Sequence, residues 1–244
     1  MTINYPQSDL SIRDDLIGAQ ARFWEHLAAP GTWLSGAERI AIAAEARGVR
    51  NCDFCKIQKD ALSPNSIQDT HQSSTDLAPN MVEVIHRIVS DPGRLTEAWV
   101  RGVVDSGISD GAYVETVGLI ATAMVMDTFA AGIGHDDVPL PAPAAGEPSR
   151  YTSSGAKRAA AWVPITEPED ITEEDGDLYP GRSAYIQRAL SSVPDTKRGY
   201  WDLAVANYLP AEHMPNFDTD FRAISRNQIE LIAARTSALH GCAY

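Results

Sequence analysis

Apolar residues recur at helical spacing through most of the chain, and nowhere do they alternate convincingly as they would along a strand. Residues 9–28 carry one apolar stripe, which Pro30 and Gly31 end. Pro79 suits a first helical position and opens a second amphipathic stretch. Residues 111–131 are apolar nearly all round, which predicts a long, centrally buried helix. The pattern therefore predicts an all-α fold.

Two stretches with the same helix-start signal lie far apart in the chain. Ser35 with Glu38, and Ser225 with Gln228, each have the spacing of a capping box, in which the two side chains satisfy each other's backbone amides. The match continues without a gap, from Ile42-Ala43-Ala44 to Ile232-Ala233-Ala234 and from Cys52 to Cys242. Further helices are predicted over residues 95–105, 183–190 and 196–208.

The helical pattern and the proline content divide the chain into three parts. Residues 1–134 form a first helical unit, and residues 182–244 form a second, shorter one. Between them, residues 135–181 are rich in proline and hold an acidic run, which predicts a long irregular arm.

Composition narrows the classes of function. The formal net charge is -13, from 33 acidic and 20 basic residues, so the chain would repel a phosphate backbone and no nucleic-acid partner is expected. No apolar run is expected to be long enough to span a membrane, and the first ten residues lack a hydrophobic signal core. These features predict a cytoplasmic protein. The three cysteines are too few for a disulfide framework.

Cys52 and Cys55 form the clearest chemical motif. Asn51 is predicted to cap a helix that holds both thiols in its first turn, where free amides and the helix dipole stabilise a thiolate. Their spacing puts both sulfurs on one face, so a disulfide can close with little backbone movement. One thiolate can attack a peroxide or a disulfide, and the other can resolve the product. A helix start is a poor place for core packing, so a buried structural pair is disfavoured.

A zinc site is the alternative use of this cysteine pair. Zinc needs two more ligands, and the candidates His71, His86 and His135 do not form a second paired motif. No nucleotide, flavin or haem fingerprint is present either. The sequence therefore predicts neither a metal nor a cofactor.

The arrangement resembles the alkylhydroperoxidase D and carboxymuconolactone decarboxylase superfamily of small helical proteins. Its redox-active members carry a glutamate, eleven residues, Cys-x-x-Cys, three residues and a histidine. The resemblance implies that the second cysteine attacks peroxide, that the glutamate and histidine relay its proton through water, and that a thiol reductant regenerates the pair. The segment from Gly107 resembles another part of that family, with Glu115 in the place of its glutamate.

The first copy departs from the family pattern at both relay positions. Ile40 lies twelve positions before Cys52, where the family has glutamate, and Lys59 lies four after Cys55, where it has histidine. Lys59 either stabilises a thiolate by its charge or simply faces water. Glu38 is explained as a cap, and Glu45 lies on another face of the helix from Ile40.

Histidines give weaker signals than the cysteines do. His86 lies on the helix that Pro79 opens and is placed to face Cys55, with a hydrogen-bonded structural role as the alternative. His26, His71, His135 and His213 lie in or near exposed turns or polar stretches.

The second copy keeps the glutamate and lacks the second thiol. Glu230 lies twelve positions before Cys242, and the sequence stops at Tyr244, one position before the second cysteine would fall. One hypothesis is that a UGA codon for selenocysteine follows; a natural end and a shortened chain are the alternatives. The last helix would then lack its own partners, so we expect its apolar face to pack on the first unit or on another subunit, which favours a homo-oligomer.

These features predict a thiol-dependent peroxidase or disulfide oxidoreductase that acts on hydroperoxides and is regenerated by a dithiol protein. Cys55 would attack, Cys52 would resolve, and Glu230 or Lys59 would tune the proton chemistry. Two alternatives stay open. One is a carboxymuconolactone decarboxylase-like reaction, which does not need the thiols, and the other is a catalytically degenerate oligomeric scaffold or redox sensor.

Overall fold

Helices account for the regular structure of the part that the computed structural model describes, residues 3–6, 9–179 and 184–242. The α-helices are α1 (Asp14–Ala28), α2 (Gly36–Gly48), α3 (Asp53–Asp60), α4 (Pro79–Ser90), α5 (Glu97–Asp105), α6 (Asp110–Gly132), α7 (Pro194–Asn207) and α8 (Arg226–Leu239). Short 3-10 helices cover Val49–Asn51, Pro64–Ser66, Pro92–Arg94, Pro168–Asp170, Glu173–Asp175, Tyr185–Arg188 and Ala211–His213. These residues contain no strand, only an isolated bridge between Lys157 and Ile165. The all-α prediction is confirmed.

Helix α6 forms the centre of a bundle with α1, α2, α4 and α7. Its side chains Leu119, Ile120 and Met126 are almost completely buried, together with Trp24 and Leu27 of α1. The sequence was expected to hold no apolar run long enough to span a membrane. Helix α6 meets that criterion, on length and composition alone. Its most apolar stretch is 61% buried in the bundle, as in the core helix of a soluble protein.

A buried ion pair sets the position of α2 in this bundle. Arg39 Nη1 lies 3.1 Å from Glu115 Oε1 on α6, and both side chains are 0% exposed. Each member of the pair also has a backbone partner, since Glu115 Oε2 accepts a bond from the Trp33 amide and Arg39 Nη2 donates to the His26 carbonyl. Glu115, which the resemblance was expected to place as the family's glutamate, thus binds an arginine of α2.

The proline-rich stretch docks on the bundle along an irregular path. Its backbone amides at Ala144 and Ser149 bond the carbonyls of Ala28 and Gly31, each within 2.9 Å. Trp24 of α1 donates its indole N–H to the Pro139 carbonyl. Close packing explains the glycine at position 31, because a Cβ there would lie 1.9 Å from atoms of both Arg39 and Glu115.

The two helices expected in the second unit lie in different surroundings. Helix α7 packs along α1 and α6, and its Leu203 and Ala206 belong to the same core as Trp24. Helix α8 leaves Leu231, Ile232 and Leu239 more than half exposed. Ile229 and Ala233 on the same helix are half-buried. The expected packing of the apolar face of α8 on the first unit is therefore at most partial in the described residues.

The segment predicted as a helix over residues 183–190 is only partly helical in the described residues. A single 3-10 turn forms over Tyr185–Arg188, and Leu190 then takes a positive φ of 66°. That left-handed conformation interrupts helical geometry before Pro194 starts α7. Residue 183 lies outside the described residues.

Candidate cysteine and histidine site

The cysteine pair stands at the junction between α2 and α3. The 3-10 turn Val49–Asn51 follows α2 directly, and Cys52 rather than Asn51 takes the N-cap position of α3, with extended dihedral angles. Cys55 is the third residue of that helix. Both cysteines are buried, at 0% and 3% exposed, so the expectation that a helix start disfavours burial is wrong. The reason is that α4 and the polar loop over residues 67–78 cover this helix end.

Two histidines meet the thiols beneath that cover. His86 Nδ1 lies 3.1 Å from Cys55 Sγ, and His71 Nδ1 lies 3.4 Å from the same sulfur. His71 Nδ1 is also 3.5 Å from Cys52 Sγ. One donor atom from each of these four residues lies within 4.8 Å of all the others.

Each histidine is held from behind by a carboxylate. His86 Nε2 lies 2.8 Å from Glu45 Oε1, and both side chains are 0% exposed. His71 Nε2 lies 2.8 Å from Glu83 Oε2, and the His71 side chain is 5% exposed. Because a carboxylate accepts from Nε2–H, both rings turn their Nδ1 atoms toward the sulfurs.

Glu45 also holds the loop that carries His71. Its second oxygen, Oε2, accepts bonds from the Thr75 hydroxyl at 2.7 Å, the Ser74 amide at 3.0 Å and the Ser73 hydroxyl at 3.1 Å. The Gln72 side chain accepts from the free amide of Asp53 at the start of α3. One buried carboxylate therefore positions His86 directly and His71 through its loop.

The two histidines differ in basicity. Burial opposes the charge on His71, but its bonds with the Cys55 sulfur, Glu83 and the Cys52 sulfur outweigh burial and raise its pKa to about 10. At His86, burial prevails over the bond with Glu45 and lowers the pKa below its ordinary value. Near neutral pH, His71 is therefore a cation that donates to sulfur, and His86 is a neutral ring whose Nδ1 accepts a proton.

The acidic groups around the histidines stay ionised. Burial acts to raise the pKa of Glu45, but its bonds from His86, Thr75 and Ser74 hold that pKa below the ordinary value. In the same way, the bond from His71 outweighs burial and lowers the pKa of Glu83. Burial likewise opposes ionisation of Cys52, while His71 and the backbone amides of Cys55 and Gln72 lower the pKa of this thiol.

Of the six site residues predicted from the sequence, three come together here and three lie elsewhere. Cys52, Cys55 and His86 are in contact, as described above. Lys59 lies exposed on α3. Glu230 on α8 accepts from the Tyr208 hydroxyl and pairs with Arg226. Cys242 is exposed and free.

Sequence reasoning did not assign Glu45 or Glu83 to the site, and it considered His71 only as a zinc ligand, a role that it set aside. Glu45 did carry a signal, because it follows Ile42 by three positions and precedes Val49 by four, which places a carboxylate on the buried stripe of α2. His71 carried none, since it lies in a polar loop without periodicity. His135, the other zinc candidate, lies apart and packs its ring against Tyr5.

Comparison with known proteins adds no relative. No family model, curated protein or solved structure matches this chain.

Proposed function

We propose that this protein is a thiol-dependent peroxidase that reduces hydroperoxides at Cys55 and closes a disulfide with Cys52. The observation that carries the proposal is the buried chain from Cys55 Sγ to His86 Nδ1 at 3.1 Å and from His86 Nε2 to Glu45 at 2.8 Å. A nucleophile, a base and a group that orients the base are the elements of an activated thiol.

The first step transfers two electrons from sulfur to the peroxide. His86 Nδ1 takes the Cys55 proton, and the thiolate attacks the terminal oxygen of the hydroperoxide, which breaks the O–O bond. The leaving alkoxide or hydroxide takes the proton back from His86 and departs as alcohol or water. Cys55 is left as a sulfenic acid. Glu45 holds the ring in the tautomer that this transfer requires.

The second step closes the disulfide. Cys52, whose thiol has a lowered pKa, attacks the sulfenic sulfur as a thiolate, and hydroxide leaves with a proton from the His71 cation as water. A dithiol protein then returns two electrons and two protons and restores both thiols. Because the Cys55 residue is only 3% exposed, small hydroperoxides suit this site better than bulky ones.

The resemblance noted in the sequence supports the same chemistry by another route. The superfamily that the sequence resembles uses a glutamate and a histidine beside its Cys-x-x-Cys, and this chain has Ile40 and Lys59 at those positions. Here Glu45 and His86 occupy the corresponding chemical roles from different places in the sequence. An alkylhydroperoxidase D-like bundle, a cytoplasmic location and a homo-oligomeric state belong to this proposal.

Consumption of hydrogen peroxide by the reduced, chelator-treated protein, with dithiothreitol as reductant, tests the proposal. Cys55→Ser should abolish turnover, because it removes the thiol that is hydrogen-bonded to His86 and leaves Cys52 without a partner for the disulfide. Cys52→Ser should still consume one equivalent of peroxide and leave a sulfenic acid that a dimedone probe traps. Cys242→Ser is the matched control, since this exposed thiol lies apart from the site, and it should turn over like the unmodified protein.

Two outcomes would overturn the proposal. One is a Cys55→Ser protein that keeps its circular dichroism spectrum and its full peroxidase rate. The other is an unmodified protein that consumes no peroxide although both thiols titrate as free, which would favour the redox-inactive scaffold.

A further inference from the structure

We propose that Cys52, Cys55, His71 and His86 also form a tetrahedral binding site for Zn²⁺. This inference concerns the residues of the proposed peroxidase site but does not depend on that activity. It rests on the positions of four donor atoms and of the two carboxylates behind them.

The spacing of the donor atoms is close to that of a zinc polyhedron. Bond lengths of about 2.3 Å to sulfur and about 2.0 Å to nitrogen place neighbouring ligands of a tetrahedral ion roughly 3.3–3.8 Å apart. The three short donor distances are 3.1, 3.4 and 3.5 Å, and no pair exceeds 4.8 Å. Shifts of a few tenths of an ångström in these three pairs, and of at most about 1.5 Å in the others, would therefore let the four atoms surround one ion.

The chemical nature of the donors selects the metal. Two thiolates and two imidazoles are the ligands of structural zinc sites, whereas calcium and magnesium require oxygen. Four protein ligands also complete the tetrahedron and leave no open position for a bound water. The site is therefore suited to holding zinc rather than to using it as a Lewis acid.

The carboxylates behind the two histidines have the arrangement that is typical of histidines bound to zinc. A ligating imidazole normally donates its other N–H to a carboxylate, which fixes the tautomer and makes the ligand more basic. Both histidines do so here, His71 with Glu83 and His86 with Glu45, each at 2.8 Å. The four zinc ligands and the carboxylate behind each histidine are therefore all present at this site.

Zinc at this position would exclude the peroxidase reaction. The ion would occupy the sulfur lone pair that attacks the peroxide and the His86 Nδ1 that takes the proton. It would also hold together α3, the loop of residues 67–78 and α4, three successive segments of the chain. Zinc binding would thus stabilise the fold and inhibit the reaction of the thiols.

Zinc titration of the untagged, reduced and chelator-stripped full chain tests this site. A chromophoric chelator in competition with the protein should report one tightly bound zinc per chain. Co²⁺ in its place should give the visible bands of a tetrahedral ion and the near-ultraviolet charge-transfer bands of thiolate ligands. Zinc should also raise the thermal midpoint of unfolding.

Variants separate the site from chance binding by other groups. Glu83→Gln keeps all four ligands and removes only the carboxylate behind His71, so zinc affinity should fall about 10–100-fold. His71→Ala removes a ligand and should weaken binding further and change the cobalt spectrum. His135→Ala and Cys242→Ser alter groups outside the cluster and should bind as the unmodified protein does.

Some outcomes would overturn the zinc site whatever the peroxidase assay gives. These are the absence of zinc binding by a folded chain with reduced thiols, and a cobalt spectrum that is unchanged in His71→Ala. Zinc binding without peroxide turnover in the stripped protein would support the metal site and refute the peroxidase. Turnover that stoichiometric zinc suppresses and a chelator restores would support both.

Discussion

Helices α2 and α8 begin in the same way and lie in different surroundings. Both start with a complete capping box, formed by Ser35 with Glu38 and by Ser225 with Gln228. Both run toward a cysteine, Cys52 after α2 and Cys242 after α8. The local instructions for starting a helix are therefore nearly identical in the two stretches.

The packing of matching side chains differs strongly. Ile42 of α2 is 0% exposed, and the matching Ile232 of α8 is 57% exposed. Glu45 lies buried against His86, and Arg235 at the matching position is exposed. Cys52 meets His71, while Cys242 is exposed and free. The comparison teaches that a capped helix and a thiol do not make a site until α4 and its preceding loop supply the histidines.

The largest expected effect comes from replacing Arg39 of α2, which pairs with the buried Glu115, by the residue at the matching position of α8. Arg39→Ile, which copies Ile229, leaves Glu115 buried without its partner. Removing one member of a buried pair costs about 3–5 kcal/mol of unfolding free energy. Urea unfolding measures the loss. The double variant Arg39→Ile/Glu115→Leu should recover much of it, and a loss below about 1 kcal/mol in the single variant would contradict the role of the pair.

A smaller effect is expected from truncating the matching isoleucines. Ile42→Ala leaves a cavity in the bundle core and should cost about 3 kcal/mol of unfolding free energy. Ile232→Ala should change stability by less than about 0.5 kcal/mol, because that side chain is mostly exposed. Equal losses in the two variants, measured by urea unfolding, would show that α8 is packed in solution as tightly as α2.

A third effect concerns the rate of the proposed reaction. Glu45→Gln keeps the shape of the side chain but removes the charge that orients His86, so kcat/KM for peroxide should fall about 100-fold. Arg235→Gln, at the matching position of α8, should leave the rate unchanged. A full rate in a Glu45→Gln protein with native circular dichroism would remove Glu45 from the mechanism.

The smallest effect is a dependence of stability on pH that arises where α1 meets α7. Burial, and then the charge of Arg39, lower the pKa of His26 to about 4. In the unfolded chain this histidine takes up a proton near pH 6.5, and in the folded chain only near pH 4, so stability is lost as pH falls through that window.

The size of this loss is roughly 1–2 kcal/mol between pH 7 and pH 5. His26→Gln should reduce the loss, as measured by urea unfolding at the two pH values. His240→Gln, at the exposed end of α8, should leave the pH profile as it is. If His26→Gln shows the same loss as the unmodified protein, other groups account for the acid sensitivity.

Local features of the fold were predictable where the signal was itself local. The two capping boxes and Pro79 at the first position of α4 lie where the sequence placed them. The predicted start of α1 at residue 9 is wrong, since the helix begins at Asp14, because helix ends depend on weak terminal bonds. The turn over Tyr185–Arg188 was expected as a longer helix, and the positive φ of Leu190 gives no sign in the sequence.

The candidate site was predictable only in part. The cysteine spacing indicated a reactive pair, and the helix with His86 was placed to face it. The position of His71 depends on bonds from its loop to Glu45 and from Gln72 to α3, which join residues distant in the chain. Single-sequence patterns do not carry such bonds, so only the structure shows that His71 and both carboxylates belong to the site.

By itself the sequence determined an all-helical protein with two capped, matching helices and a pair of thiols at a helix start. These follow from periodicity, capping and spacing, which act within a few residues. The tertiary structure decided which of the two helices is buried, and it brought two histidines and two carboxylates to the thiols. Those outcomes depend on burial and on hydrogen bonds between distant segments, because a buried polar group persists only where the fold supplies its partner.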